Sequence, residues 1–331
     1  MPLPKSPFAA SNSIPGNGEI VLALLPPGKQ ILQSCTYQYP LKLIAPDPHA
    51  VQGEKHVTIV FLLTYGGGLV GGDQINLKIN LQDATRLVLV TQGSTKIFKS
   101  PTRTVVSKQI LDVKIGARAA LCYLPDPTQP FAESVYEQKQ TFYVDPSGKS
   151  NLLMLDWVSE GRRARGESWT LWSWKGRNEV REFDERSRGR LLLRDAVMLH
   201  EDGLGTTGLV DKSDNLGIFG TLIVYGPLFE KLGGFLVQHF AQQPRLGAKN
   251  WTQNDRSHSD EADAIKKDAD AQRQREHEDG LVWTAARVRG FVLVKFGAKE
   301  VDGARRWLGG LLKQEGTVET LFGHQALICL R

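Results

Sequence analysis

The sequence predicts a mainly β protein: a single large domain of stacked or curved β-sheets with about two α-helices. Three observations carry this. Gln74-Ile75-Asn76-Leu77-Lys78-Ile79-Asn80-Leu81 is apolar at every second position, the period of a strand with one buried face. Short runs of this kind recur along the chain and end at turn residues such as Pro26-Pro27-Gly28 and Pro125-Asp126-Pro127. Only two stretches repeat their apolar residues at the spacing of a helix.

Residues 1–18, rich in Pro, Ser, Asn and Gly, read as a flexible arm, and 19–331 as the β domain. Strands are expected at Glu19–Leu25, over Ile31–Leu43 as one stretch, at Val57–Leu63, at 74–81 and at Leu87–Val90. Alternation returns at Leu111, Val113 and Ile115, followed by apolar segments at Ala119–Leu124, Gln140–Val144 and Leu152–Val158. Trp169–Trp174 reads as a strand covered on both sides, and further strands fall at Leu191–Val197, Gly220–Tyr225 and Phe291–Phe296.

The first helix starts near Pro227, a residue suited to an early helical position, and carries Leu228, Leu232, Phe235, Leu236 and His239 on one side. The second, about 299–313, has Val301, Ala304, Trp307, Leu308, Leu311 and Leu312 on one stripe. Residues 249–279 are dense in charged residues, Gln and Ala, with no face to bury; they read as a charged mobile insertion. No internal repeat is evident.

With 331 residues, 41% of them hydrophobic, the chain can bury a sizeable core. A net charge of +5 is a weak argument for nucleic acid or an acidic membrane. Cys35, Cys122 and Cys329 form no C-x-x-C pair and fit buried thiols in a reducing compartment. With no apolar signal core at the start and no run long enough to span a membrane, the expectation is a cytoplasmic protein.

No catalytic set stands out. The histidines lack ligand spacing and no G-x-S-x-G elbow occurs. Gly66, Gly68 and Gly71 match G-x-G-x-x-G, the basis of a nucleotide-enzyme reading, but a phosphate loop must open a helix, and a strand pattern follows Asp73. The glycines instead suit a tight turn or a close backbone approach. Gly161-Arg162-Arg163-Ala164-Arg165-Gly166-Glu167 suits an RNA-binding module, or a loop whose arginines pair with Glu160 and Glu167. Asp73, Glu160 and Glu167 are carboxylates able to hold a divalent cation weakly, or ordinary turn caps and ion pairs. Thr91-Gln92-Gly93-Ser94-Thr95-Lys96 is polar after a buried strand; it either satisfies turn backbone or lines a polar interior.

Four segments in order resemble the urease accessory protein UreD (UreH) family. They are Gly67-Gly68-Leu69-Val70-Gly71-Gly72-Asp73, Thr91–Ser100, Leu124-Pro125-Asp126-Pro127 with Pro130-Phe131, and Gly161–Glu167. Weaker likeness runs through Gly220-Thr221-Leu222 and Arg305-Arg306-Trp307-Leu308. Ser94, Phe98, Lys99 and Thr128-Gln129 depart mildly from the family pattern, and the 249–279 insertion is peculiar to this chain or its close relatives.

The resemblance implies a non-enzymatic scaffold with no catalytic cofactor. Such a scaffold docks on apo-urease and recruits UreF and the GTPase UreG to deliver nickel. It implies a transient nickel path, for which Asp73 and Glu167, then Glu160, are the expected metal residues. Gly67, Gly68, Gly71, Gly72, Thr91, Gln92, Thr95, Lys96, Asp126, Arg162 and Arg165 are the expected interface or passage-lining residues.

Overall fold

The computed structural model describes residues 13–47, 49–50, 56–185, 187, 189–201, 208–243 and 274–331. The first twelve residues of the expected arm and most of the 249–279 insertion lie outside these. At the start, β1 (Asn17–Leu25), β2 (Lys29–Tyr37), β3 (Leu41–Ile44) and β4 (His49–Ala50) follow one another. The single strand expected over 31–43 is therefore two, split where the chain turns at Gln38 to Pro40: Leu41 N–H returns to the Gln38 carbonyl at 3.0 Å.

From there the chain winds as a coil. One pass is β5 (His56–Thr64), β6 (Gly68–Leu69) and β7 (Gln74–Leu81). The next is β8 (Arg86–Val90), β9 (Thr95–Ile97) and β10 (Ser107–Ile115), and a third is β11 (Ala120–Tyr123), β12 (Thr128–Pro130) and β13 (Val135–Val144). A fourth runs through β14 (Asn151–Ser159) and a loop to β15 (Ser173–Glu182). Each strand pairs in parallel with its counterpart one pass later. This is a structural repeat that the sequence conceals, because the repeating quantity is the path and not the residues.

Antiparallel strands complete the two sheets: β16 (Leu191–His200), β17 (Ile218–Tyr225), β18 (Val282–Val288) and β19 (Phe291–Ala298). The first sheet has order β16-β15-β13-β10-β7-β1-β2; the main path of the second is β18-β19-β17-β14-β11-β8-β5-β3. Helices α1 (Glu230–Ala241) and α2 (Val301–Glu315) stand where the two were expected; α3 (Thr317–Phe322), a single turn at Leu209–Lys212 and a 3-10 stretch at His324–Leu330 are additional.

The layering explains the apolar runs. Leu87, Leu89, Leu121, Tyr123, Leu152 and Met154 face the first sheet, where they meet Leu77, Ile79, Leu111, Val113 and Phe142. Val88, Val90, Cys122, Leu153, Leu155 and Trp157 face the opposite way, onto Leu232, Leu236, Trp307, Leu308 and Leu311 of the helices. Strands covered on both faces have no polar side to alternate with. In β7 only one face is buried, so its alternation survives. Cys122 and Cys329 are buried and Cys35 is half-buried; all three are free thiols.

Two expectations fail in detail. Trp169–Trp174 is not one strand: β15 begins at Ser173, and Trp169 has φ +51° and donates its indole N–H to the Leu216 carbonyl at 2.7 Å. The loop from 160 to 172 takes the place that β6, β9 and β12 hold in earlier passes, and its Trp169 and Leu171 pack inward without a ladder. β18 escapes sequence reading because, as an edge strand, it buries only Ala285.

Gly68 lies where β6 meets β9, and a Cβ there would stand 2.4 Å from the Lys96 carbonyl oxygen and 2.7 Å from the Phe98 ring. Gly68→Ala is expected to destabilise the fold by about 1–3 kcal/mol through overpacking. Gly66→Ala, at φ +73° with open space around it, is expected to cost only about 1 kcal/mol of backbone strain. Urea unfolding of both variants checks the difference.

Candidate functional site

The four segments singled out in the sequence converge on one edge of the coil. Gly68 and Leu69 pair with Lys96 and Ile97, and Thr95, Lys96 and Ile97 pair with Thr128, Gln129 and Pro130. Thr128 in turn pairs with Val158, just before the arginine loop. Backbone bonds extend the ladder: Phe98 N–H reaches Leu69 O, and Phe131 N–H reaches Ile97 O, both at 2.9 Å.

The glycine stretch serves this approach and the turn after it. A Cβ on Gly71 would sit 2.7 Å from Pro101, and Gly72 has φ +94°. Asp73 closes the turn: its carboxylate accepts from Val70 N–H at 2.9 Å, and its own N–H returns to Val70 O at 2.9 Å. A 3-10 turn at Tyr65–Gly67 leads into the stretch and β7 follows it, so among the described residues no helix starts here to aim its N–H groups at a phosphate.

A buried clasp ties the second segment to the third and to the C-terminal helices. Thr91 Oγ1 donates to Asp126 Oδ2 at 3.0 Å and accepts from Asp126 N–H at 2.7 Å. Gly93 N–H donates to the same carboxylate oxygen at 2.8 Å, and Arg305 donates to Oδ1 at 2.6 Å. Cys329 donates its thiol to Thr91 O at 3.3 Å; burial, with the Asp126 charge nearby, pushes that thiol up to about 12. Thr91 thus satisfies a turn N–H and Asp126 is committed to the clasp, while Thr95 is half-buried and Gln92 and Lys96 are exposed.

The arginine loop is mostly spoken for. Arg162 grips Glu167 with both guanidinium edges, Nε to Oε2 at 2.9 Å, and lies 4.1 Å over the Phe131 ring. That hydrogen-bonded guanidinium holds the Glu167 carboxyl below its ordinary range against a smaller effect of burial. Glu160 accepts from Ser168 Oγ and stands 3.6 Å from Arg163, which also reaches Glu300 at 3.4 Å. Arg165 is exposed. Glu160 and Glu167 are therefore neighbours on one loop, whereas Asp73 sits in the turn against β10, its carbonyl accepting from Lys108 N–H at 2.8 Å. Among the described residues, no three His, Cys, Asp or Glu side chains gather as a metal site.

A second polar assembly lies between the sheets, and sequence reading missed it. Asp156, Thr221 and Lys295 stand side by side across β14, β17 and β19. Facing them from the first sheet, Gln138 and Asn178 donate to the two Asp156 oxygens at 2.8 and 2.7 Å, and Asp195 accepts from Lys295 at 2.6 Å. Tyr136 O–H continues the row to Gln138 Oε1 at 3.2 Å. A cavity of about 240 Å³ opens beside Asp156, Trp174, Thr221 and Lys295.

Burial, reinforced by the Asp195 charge, raises the Asp156 carboxyl above its ordinary range, although the two amides and Lys295 oppose this. Trp174 Nε1 and Asn178 Oδ1 are buried there without a partner. The one signal in the sequence was Asp156 itself, a carboxylate inside the apolar run Leu152–Val158.

Comparison with known proteins places this architecture. The family model described as UreD urease accessory protein matches residues 16–328. An uncharacterized urease accessory protein ureD-like of Schizosaccharomyces pombe is 28% identical over 292 residues, 88% of this chain and 90% of the relative. Urease accessory protein D of Arabidopsis thaliana is 32% identical over 62% of this chain and 66% of its own length. Urease accessory protein UreD of Sorangium cellulosum is 35% identical over 64% of this chain and 62% of its own.

The two carboxylates have opposite acid signatures. Glu167, lowered in the fold, adds stability above its ordinary value of 4.5 and loses it as pH falls through the folded value. Asp156, raised in the fold, costs stability progressively as pH climbs from its ordinary 3.8 through the folded value. Glu167→Gln is therefore expected to be less stable than the parent at neutral pH, a gap that closes on acidification. Asp156→Asn is expected to gain on the parent as pH rises. Thermal melts between about pH 3 and pH 7 follow both.

Proposed function

The chain belongs to the urease accessory protein UreD family, and from that premise we propose that it matures urease as a non-catalytic scaffold. In this reading it docks on apo-urease in the cytoplasm, brings UreF and the GTPase UreG to it, and hands nickel onward. Nickel is cargo here and not a resident cofactor.

The observation that most supports passage of an ion is the polar row between the sheets. Lys295 is half-exposed at its outer end, and behind it lie Asp195, Asp156, Gln138 and Tyr136. Carboxylate and amide oxygens bind a divalent cation without the permanence of thiolates, which suits a site an ion must leave. The raised Asp156 carboxyl fits that logic, since an arriving cation must displace a proton held more tightly than on an ordinary carboxylate, which keeps its binding weak. Asp73, Glu160 and Glu167 are proposed as outer stations of the same route, with Gln92, Thr95, Lys96, Arg162 and Arg165 at the surface the partners meet.

In cells deleted for this chain, urease is expected to be nickel-poor and inactive, and to regain both on restoration. Asp156→Asn, Asp73→Ala and Glu167→Ala are each expected to lower nickel per urease while co-purification with urease and its accessory proteins persists. Nickel-replete urease in the deletion strain overturns the scaffold role. Loss of assembly in the three variants overturns the route and leaves those residues to the fold.

A further inference from the structure

Helices α1 and α2 pack on the second sheet, and among the described residues no helix packs over the outward face of the first along β10, β13, β15 and β16, where most side chains are half-buried or exposed. A largely parallel sheet is ordinarily covered on both faces. Register sets two rows across this one. Lys108, Glu137, Lys175 and Met198 stand side by side in the first; Ile110, Lys139, Arg177 and Ala196 stand in the second. Together they line a groove of about 480 Å³.

The charges in the groove are unbalanced. Among the described residues that line it, Glu137 is the only carboxylate and is engaged by Lys175 at 3.3 Å, so Lys108 and Lys139 are left over, and Arg177 shares Glu179 with two other arginines. Lys139 lies directly opposite Arg177, a like-charge pair that destabilises a sheet. The next row adds the carboxylates Asp112 and Glu179, but Glu179 is buried and shared among Arg177, Arg181 and Arg194 at 3.7, 2.9 and 3.0 Å, so cations remain in excess on this face. At the end of the groove Met198, on the outermost strand, is 61% exposed. A sequence that retains repulsion beside an exposed methionine is serving something other than the free fold.

We propose that this groove binds an extended acidic segment of a partner protein, its carboxylates set against Lys108, Lys139 and Arg177 and an apolar side chain against Met198 and Ile110. An acidic peptide suits it better than nucleic acid, because no aromatic ring lines the groove to stack a base. The inference goes beyond the maturation role and does not depend on it; failure of either leaves the other standing.

The test uses the purified full chain and a fluorescein-labelled peptide of alternating Glu and Leu, with Lys/Leu and Gln/Leu peptides and labelled oligouridylate as comparisons. Anisotropy titrations are expected to show binding of the Glu/Leu peptide alone, weakening as salt rises. Arg177→Glu with Lys139→Glu is expected to reduce affinity at least about tenfold, whereas Lys78→Glu, on β7 outside the groove, leaves it unchanged. Lys139→Glu alone, by placing opposite charges across the strands, is expected to raise the melting temperature by about 1–2 °C. Absent binding, equal binding of the Lys/Leu peptide, stronger binding of oligouridylate, or a lowered melting temperature in Lys139→Glu overturns the proposal.

Discussion

Everything in this molecule depends on parallel strands returning, pass after pass, to hydrogen-bonding distance of the strand laid down before. β8, β11 and β14 achieve this in a sheet buried on both faces, where a missed backbone partner would find no water to replace it. The short ladder of β6, β9 and β12 is the tightest part of that return. It brings the glycine turn, the polar segment after β8 and the Asp126 turn into one place, and Thr128 joins them to the strand that feeds the arginine loop. The convergence is a consequence of the winding, since the same region of each pass is stacked on the last.

Buried charge is handled differently in three places. Asp126 is fully answered by a hydroxyl, a backbone N–H and a guanidinium, so it acts as a rivet. Glu179 has more cations than it needs, and they leave the surrounding face basic. Asp156 is hydrogen-bonded by neutral amides, while Lys295 bonds Asp195 and acts on it only at a distance, so burial prevails and its proton is harder to lose. Desolvation is the common cost, and the partner decides whether the group is structural, electrostatic or exchangeable.

Much of the fold was legible in the sequence wherever one physical signal acted alone. The alternation of 74–81, the continuous apolar run of β14 and the stripe of α2 map directly onto what they bury. Reading failed where tertiary context chose. Trp169 and Leu171 look like strand residues because they are apolar, yet they fill the inter-sheet core from a loop. The ladder of β6, β9 and β12 is made of pieces too short to show a period. At the site, the glycines announced close backbone approach, and Arg162 with Glu167 announced an ion pair by proximity. Asp156, Asn178 and Lys295 gave no such notice, since their association is created by register between strands far apart in the chain.

The clasp between Thr91 and Cys329 also bears on how the chain reaches this state. The two residues are 238 positions apart, and Arg305 joins the same cluster from α2. Closing so long a loop in an unordered chain costs about 5 kcal/mol of entropy, and less once the intervening chain is ordered. The clasp is therefore expected to lock after the coil has wound, with the helical layer late in folding and the kinetics slow, as for other folds of high contact order. Until then the outer side of the second sheet, with Val88, Cys122 and Leu153, stands uncovered. The unfinished protein is thus sticky where the finished one is dry.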